Sequence, residues 1–306
     1  DVVPAVPKDF YGDASETDNA SALSTTPVPT DYRTLPVPPL KWTPPLISRF
    51  ADTIAPGVVV YWVQDSSLPL ASAQFVWPEG RLALGHRDDA AASLLGAFLR
   101  QGGAGALSGA RLDDTLEFLA AHASISIGMV RTSASVGGLS RDLPFLLDVL
   151  ADMVTAPRFD TARLSTIKQE KLQDIEHGFD TPAQCLGLAW DRMAYGPSAW
   201  TAMTDSVDVR KLEVADFRRA LQGRFDPRRV LVSVAGSFDK AAVRAQLKNL
   251  FARLAAARGQ GAVAKLDSIA PVPELRDRGV WIYDIPATQS NIRIGTRFVK
   301  RDHPDY

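Results

Sequence analysis

"LPLASAQFVWPEGRLALGHRDDAAASLLGAFLRQGG", residues 68–103, changes its structural signal halfway along. The first part is a β-branched and aromatic run of the kind that forms strands. From His86 the pattern becomes an acidic first turn, alanine and leucine at helical spacing, and a Gly-Gly stop, which together mark a helix. No side chain between Ala92 and Gly103 can bind a metal or take up a proton, so this helix presents a surface without chemistry.

Upstream, "GVVVYWVQD" (57–65) is a second apolar run separated from the first by a short polar turn, and the two read as an antiparallel strand pair. Downstream, "SGARLDDTLEFLAAHA" (108–123) is a helix with Leu112, Leu116 and Leu119 or Phe118 on one stripe, and "SISIGMV" with "RTSASVGGL" is a second hairpin. "RDLPFLLDVLADMVTAP" returns to helix and stops at Pro157, and "DTARLSTIKQEKLQDIEHGFD" is a long charged helix. Helices over 182–194 and 214–222, the buried strand "RRVLVSVAG" and the helix "DKAAVRAQLKNLFARL" complete an α+β lobe over 46–255.

Residues 1–45 carry nine of the 21 prolines, in phrases such as "LPVPPL", and keep neither hydrophobic period. They read as an extended arm, lying along a surface because Phe10, Tyr11, Tyr32 and Trp42 are costly to leave in water. A small-residue and proline linker spans 256–275. Over 276–306, "GVWIYDIP" and "QSNIRIGTRFV" repeat the opening strand pair and read as the beginning of a second, similar lobe.

A net charge of −1 over 306 residues gives no field that would gather nucleic acid or an anionic membrane, and no run approaches the roughly 18 apolar residues of a membrane span. The single cysteine, Cys185, stands among Leu186, Leu188 and Trp190 and reads as a buried hydrophobe. The four histidines, His86, His122, His177 and His303, lie too far apart in sequence to form a helical metal pair. "QDIEH" (173–177) carries charges ordinary for a solvated helix, and "GGAGALSG" (102–109) follows a helix rather than a strand, so it reads as a flexible turn and not a phosphate cradle.

The order of these elements, together with "LRQGG", "LEFLAAHASISIG", "LLDVLADMVTAPRFD", "DTPAQ", "VLVSVAGSFD" and "PATQSNIRIGTRFVKRDHPDY", resembles the insulinase/pitrilysin family of zinc metallopeptidases, the inverzincins. The resemblance covers residues 46–306 and implies a mitochondrial-processing-peptidase-like metallohydrolase lobe, an antiparallel sheet with helices packed on one face. Active relatives carry H-x-x-E-H on the helix after the second strand and a further glutamate on a later helix. Two imidazoles one turn apart and a carboxylate hold zinc, while the motif glutamate takes a proton from zinc-bound water.

Here the motif positions are Ser93, Gly96 and Ala97, with Asp174 at the third-ligand position. The resemblance therefore implies an inactive homologue with no catalytic residue, metal or cofactor of its own. It implies a non-catalytic subunit of a heteromeric zinc peptidase, partnered by an active zinc-bearing subunit and helping to bind extended peptides. Ser124, Ile125, Ser126, Ile127 and Gly128 match the edge strand that pairs with peptide backbone by β-augmentation. The alternative is a stand-alone peptide-binding or structural protein. The start at Asp1, without methionine or leader, is read as a processed bacterial product, periplasmic or secreted, with a cytoplasmic location as the alternative.

Overall fold

The computed structural model describes residues 43, 45–82, 84, 86–258 and, further on, 279–282, 284, 288–296, 298–299 and 303–305. The arm read over 1–45 lies outside these apart from residues 43 and 45. Among the described residues the lobe has six strands and eight helices. In chain order these are β1 (Ala51–Ala55), β2 (Val58–Gln64), β3 (Leu70–Trp77), α1 (His86–Gln101), α2 (Gly109–Phe118), β4 (His122–Ile127) and β5 (Thr132–Leu139). They continue with α3 (Leu143–Thr155), α4 (Thr161–Glu176), α5 (Pro182–Tyr195), α6 (Ser206–Lys211), α7 (Val214–Leu221), β6 (Leu231–Gly236) and α8 (Lys240–Ala257).

The strands form one sheet in the order β1-β2-β6-β3-β5-β4, antiparallel except for the parallel pair β2–β6. The strand pair read from 57–77 is thus not a hairpin. β6 lies between β2 and β3, with Val60 beside Val232 and Phe75 beside Val232 on its other side. The correction has a physical basis: all three runs are apolar enough for interior positions, and the polar turn between β2 and β3 is equally able to span a gap of one strand. β1, a short edge strand with an irregular register against β2, was absent from the sequence reading and buries only Ile54.

β3 and β4 alternate buried and exposed residues along nearly their whole length, as expected when helices cover one face of a sheet. Phe75 and Trp77 on β3, Leu95, Phe98 and Leu99 on α1, and Leu146, Leu147 and Leu150 on α3 belong to one continuous core. The Trp77 ring meets Phe225 edge-on at 5.0 Å, and its Nε1 donates to the Asp226 carbonyl at 3.1 Å, which satisfies the one polar atom it buries. Asp160, Thr181 and Asp239 cap α4, α5 and α8, and Thr181 with Gln184 completes a capping box.

The glycine-rich segment after α1 is more ordered than a flexible turn. Ala104 and Leu107 exchange both backbone hydrogen bonds at 2.9 Å, and Arg158 and Asp160 donate their N–H groups to the Gly103 and Gly102 carbonyls. Gly103 adopts φ +82°, which an L side chain resists, so glycine sets a sharp corner there. α8 runs to Ala257, two residues into the stretch read as a linker, and most of the remainder lies outside the described residues. Among the described residues of 279–305 no strand is formed, and the large side chains of Val280, Ile282, Ile292, Ile294 and Phe298 are exposed.

Candidate functional site

The acidic first turn that marks the start of α1 also anchors it, since Arg87, Asp88 and Asp89 each form ion pairs there. Arg81 holds both oxygens of Asp89 at 2.7 Å, and Arg87 holds both oxygens of the buried Asp216 at 3.0 Å. Arg219 bridges Asp88 and Asp216. The Asp216 carboxyl is buried, which opposes ionisation, yet its hydrogen bonds from Arg87, Glu213 N–H and Arg219 leave it below the usual carboxylate range. The Arg87–Asp216 pair, bidentate through Nε and Nη2, fixes orientation as well as position, so α1 cannot slide without breaking it.

The C-terminal half of α1 lies against β4. Ser93 turns its hydroxyl back to the Ala90 carbonyl at 2.7 Å, and Ala97 has no polar atom to offer. A Cβ placed on Gly96 would run into the Ile125 carbonyl oxygen and stand 3.0 Å from its carbonyl carbon. Glycine at position 96 therefore lets the helix approach the strand backbone, and the glutamate of an H-x-x-E-H motif has no room there. Asp174 is an exposed residue of α4. The residues present do not fit zinc: two of the positions carry no donor, and the third donates within its own helix. Among the described residues no group of three histidine, cysteine or acidic side chains could hold a metal ion.

β4 is an edge strand of the sheet, where the β-augmentation residues were expected. Gly128 N–H donates to Arg131 O at 2.9 Å, which makes 128/131 a hydrogen-bonded pair. Because such pairs alternate in an antiparallel ladder, the backbone groups of Ser124 and Ser126 face β5, whereas those of Ala123, Ile125 and Ile127 face away from it. The five expected residues consequently separate. The Ser124 and Ser126 side chains are exposed, with Ser124 Oγ 2.9 Å from Ser135 Oγ, while Ile125 and Ile127 bury their side chains and turn their backbone outward. Gly128 is already engaged, since its carbonyl also accepts from Arg81 N–H at 3.1 Å.

The outward edge is partly covered. Arg100, near the end of α1, donates from Nε to the Ala123 carbonyl at 3.2 Å and pairs with Asp113 at 2.7 Å. The sequence reading missed both Arg100 and the contact made by Gly96. The second left a trace: an interior helix glycine costs about 1 kcal/mol relative to alanine, a loss that a close backbone approach explains.

No family profile matches the chain, and no curated protein matches it in sequence. Solved structures do match in fold. A peptidase M16 inactive domain from Pseudomonas fluorescens superposes with a TM-score of 0.63 at 20% identity, covering 72% of this chain and 53% of that one. The periplasmic protease PqqL from Escherichia coli gives 0.57 at 14% identity over 72% of this chain and 25% of its own. Pitrilysin gives 0.53 at 13% identity over 73% of this chain and 23% of its own. The chain spans about half the length of the first of these and about a quarter of the other two. With its mixed six-stranded sheet and covering helices, the described lobe has the fold of the peptidase M16 and pitrilysin lobes.

Proposed function

We propose that the chain is a non-catalytic subunit of a heteromeric zinc peptidase of the insulinase/pitrilysin type. In this reading it closes the chamber of an active, zinc-bearing subunit and helps to hold extended peptide. One observation carries the reading: α1 of a peptidase-type lobe bears Ser93, Gly96 and Ala97, where the resemblance puts the zinc motif, and packs Gly96 against the β4 backbone. Of the outward backbone groups, those of Ile127 are the candidates for pairing with a peptide, since α1 packs Gly96 against the Ile125 carbonyl.

The exposed apolar residues between Val280 and Phe298 support association, because a surface of this kind is ordinarily covered by a partner. No helix among the described residues is long and apolar enough to cross a membrane. The likeness to a periplasmic protease supports a bacterial periplasmic or secreted location.

A structural or assembly role without a peptidase partner is the second reading. It is favoured by the Arg100 contact and the engaged Gly128, which leave few edge groups free to pair with peptide.

Co-expression of the tagged chain with the product of a neighbouring reading frame that encodes H-x-x-E-H separates the two. A stoichiometric complex on size-exclusion chromatography is the expected result. Elution of the chain alone, in the presence of a folded candidate partner, would remove the heteromeric reading.

A further inference from the structure

Away from α1 and β4, the ends of α3, α7 and α8 line a half-open pocket of about 290 Å³. Its apolar lining includes Phe159, Leu221, Phe225 and Leu254, and three arginines, Arg218, Arg224 and Arg258, reach it. No carboxylate is among its described lining residues.

The three cations are under-neutralised. Arg224 is 2% exposed, and it donates from Nε to the Ala220 carbonyl at 2.9 Å and from Nη1 to the Gly80 carbonyl at 3.0 Å. No carboxylate lies within ion-pair distance of it among the described residues. The acids that act on it from further away already have cations of their own: Glu79 pairs with Arg229, and Asp89 with Arg81. Burial holds the Arg224 guanidinium down to about 10, outweighing the opposing pull of Glu79 and Asp89. Arg258 reaches Asp226 with Nη1 at 3.3 Å, but its Nε is buried without a hydrogen-bond partner. Arg218 stacks over the Phe159 ring at 5.3 Å with no ion partner among the described residues.

Isolated buried charge and unpaired buried donors are expensive unless something satisfies them. Apolar walls with a few convergent polar groups describe a small-molecule site, and this volume lies just below the range of roughly 300–1,000 Å³ for such pockets, which suits a compact ligand. We propose that this cavity binds a small organic anion, a carboxylate on a compact apolar body, with the carboxylate on the arginines and the body against Phe159 and Phe225. The proposal does not depend on the peptidase-subunit reading.

Benzoate, benzamide and inorganic phosphate are the probes, titrated into the 306-residue chain by calorimetry or by two-dimensional NMR. Benzoate is expected to bind saturably at one site. Benzamide, which lacks the charge, and phosphate, which lacks the apolar body, should each bind at least about tenfold more weakly, the factor that corresponds to about 1.4 kcal/mol. Arg224→Gln risks the fold, so Arg218→Gln and Arg258→Gln, whose side chains are partly exposed, are the working variants. Each should weaken benzoate at least about threefold, on the order of half a charged hydrogen bond, with an unchanged melting temperature in Arg218→Gln and a modestly lowered one in Arg258→Gln, which also gives up its contact with Asp226. Absence of saturable benzoate binding, equal binding of benzamide or phosphate, or unaltered affinity in both variants would overturn the proposal.

Discussion

Adding one methyl group at position 96 separates close helix–strand packing from tolerated drift. An alanine in the middle of α1 should stabilise the helix by about 1 kcal/mol relative to glycine. Against that gain, the new Cβ would overlap the Ile125 carbonyl oxygen and lie 3.5 Å from the Ser126 Cα. Its obstacle is backbone, which cannot rotate away, and the Arg81–Asp89 and Arg87–Asp216 pairs restrain α1 from shifting. Overpacking typically costs about 1–3 kcal/mol, and an obstacle that is backbone puts this case in the upper half of that range, so after the helix gain Gly96→Ala should destabilise the lobe by a net 1–2 kcal/mol or so. For a lobe of this size that lowers the melting temperature by about 2–8 °C. Gly187 in α5 supplies the control, since a Cβ there meets nothing within 4 Å. Gly187→Ala should keep the helix gain and melt at or above the wild-type temperature. Thermal unfolding followed by far-ultraviolet circular dichroism reads both. If Gly96→Ala is as stable as Gly187→Ala, the helix does not press on the strand and the reasoning fails.

Three further outcomes follow from the same geometry. Grafting Ser93→His, Gly96→Glu and Ala97→His together should not create a tight zinc site, because glutamate at 96 collides with β4; elemental analysis finding one zinc per folded chain would contradict this. Arg100→Ala uncovers the Ala123 carbonyl and leaves Asp113 with only Arg163, so the sheet edge becomes available for pairing. Light scattering should show concentration-dependent association absent from the wild type, and an unchanged monomer would count against the covering role. Asp226 is held down to about 2, chiefly by hydrogen bonds from Arg228, against an unfolded value near 3.9. A depressed carboxylate stabilises the fold above the unfolded value, and that stability is lost as pH falls from about 4 towards 2. Asp226→Asn should therefore cost about 2 kcal/mol at neutral pH and flatten the acid limb of stability; parallel wild-type and variant curves down to pH 2 would argue otherwise.

Element type was legible wherever one period dominated, as in the alternation of "HASISI" and the leucine spacing of α3, because each of these segments buries one face. Strand order was not. β6 enters between β2 and β3 from more than 150 residues downstream (231 − 77 = 154), and three apolar strands carry no local mark of which neighbours which. The empty motif at Ser93, Gly96 and Ala97 was visible as residue types, yet its consequence was not. Whether three small residues leave a groove or admit a strand depends on the position of β4, and the structure brings the strand in. The same holds for the peptide-pairing residues: their sequence placed them on a hairpin, but which backbone groups point outward was settled by the Gly128–Arg131 turn bond, and the cover on Ala123 by a side chain from another element.

The central claim, a peptidase-type lobe without chemistry of its own that works through an active partner, is tested most directly by a peptidase assay on unfolded peptide substrates. The purified chain, the H-x-x-E-H partner and their mixture are each measured with and without a zinc chelator. The expected result is no turnover by the chain alone, little by the partner alone, and chelator-sensitive turnover at least about tenfold above the partner in the mixture, worth about 1.4 kcal/mol of barrier. Turnover by the chain alone, or a mixture no faster than the partner, would contradict it.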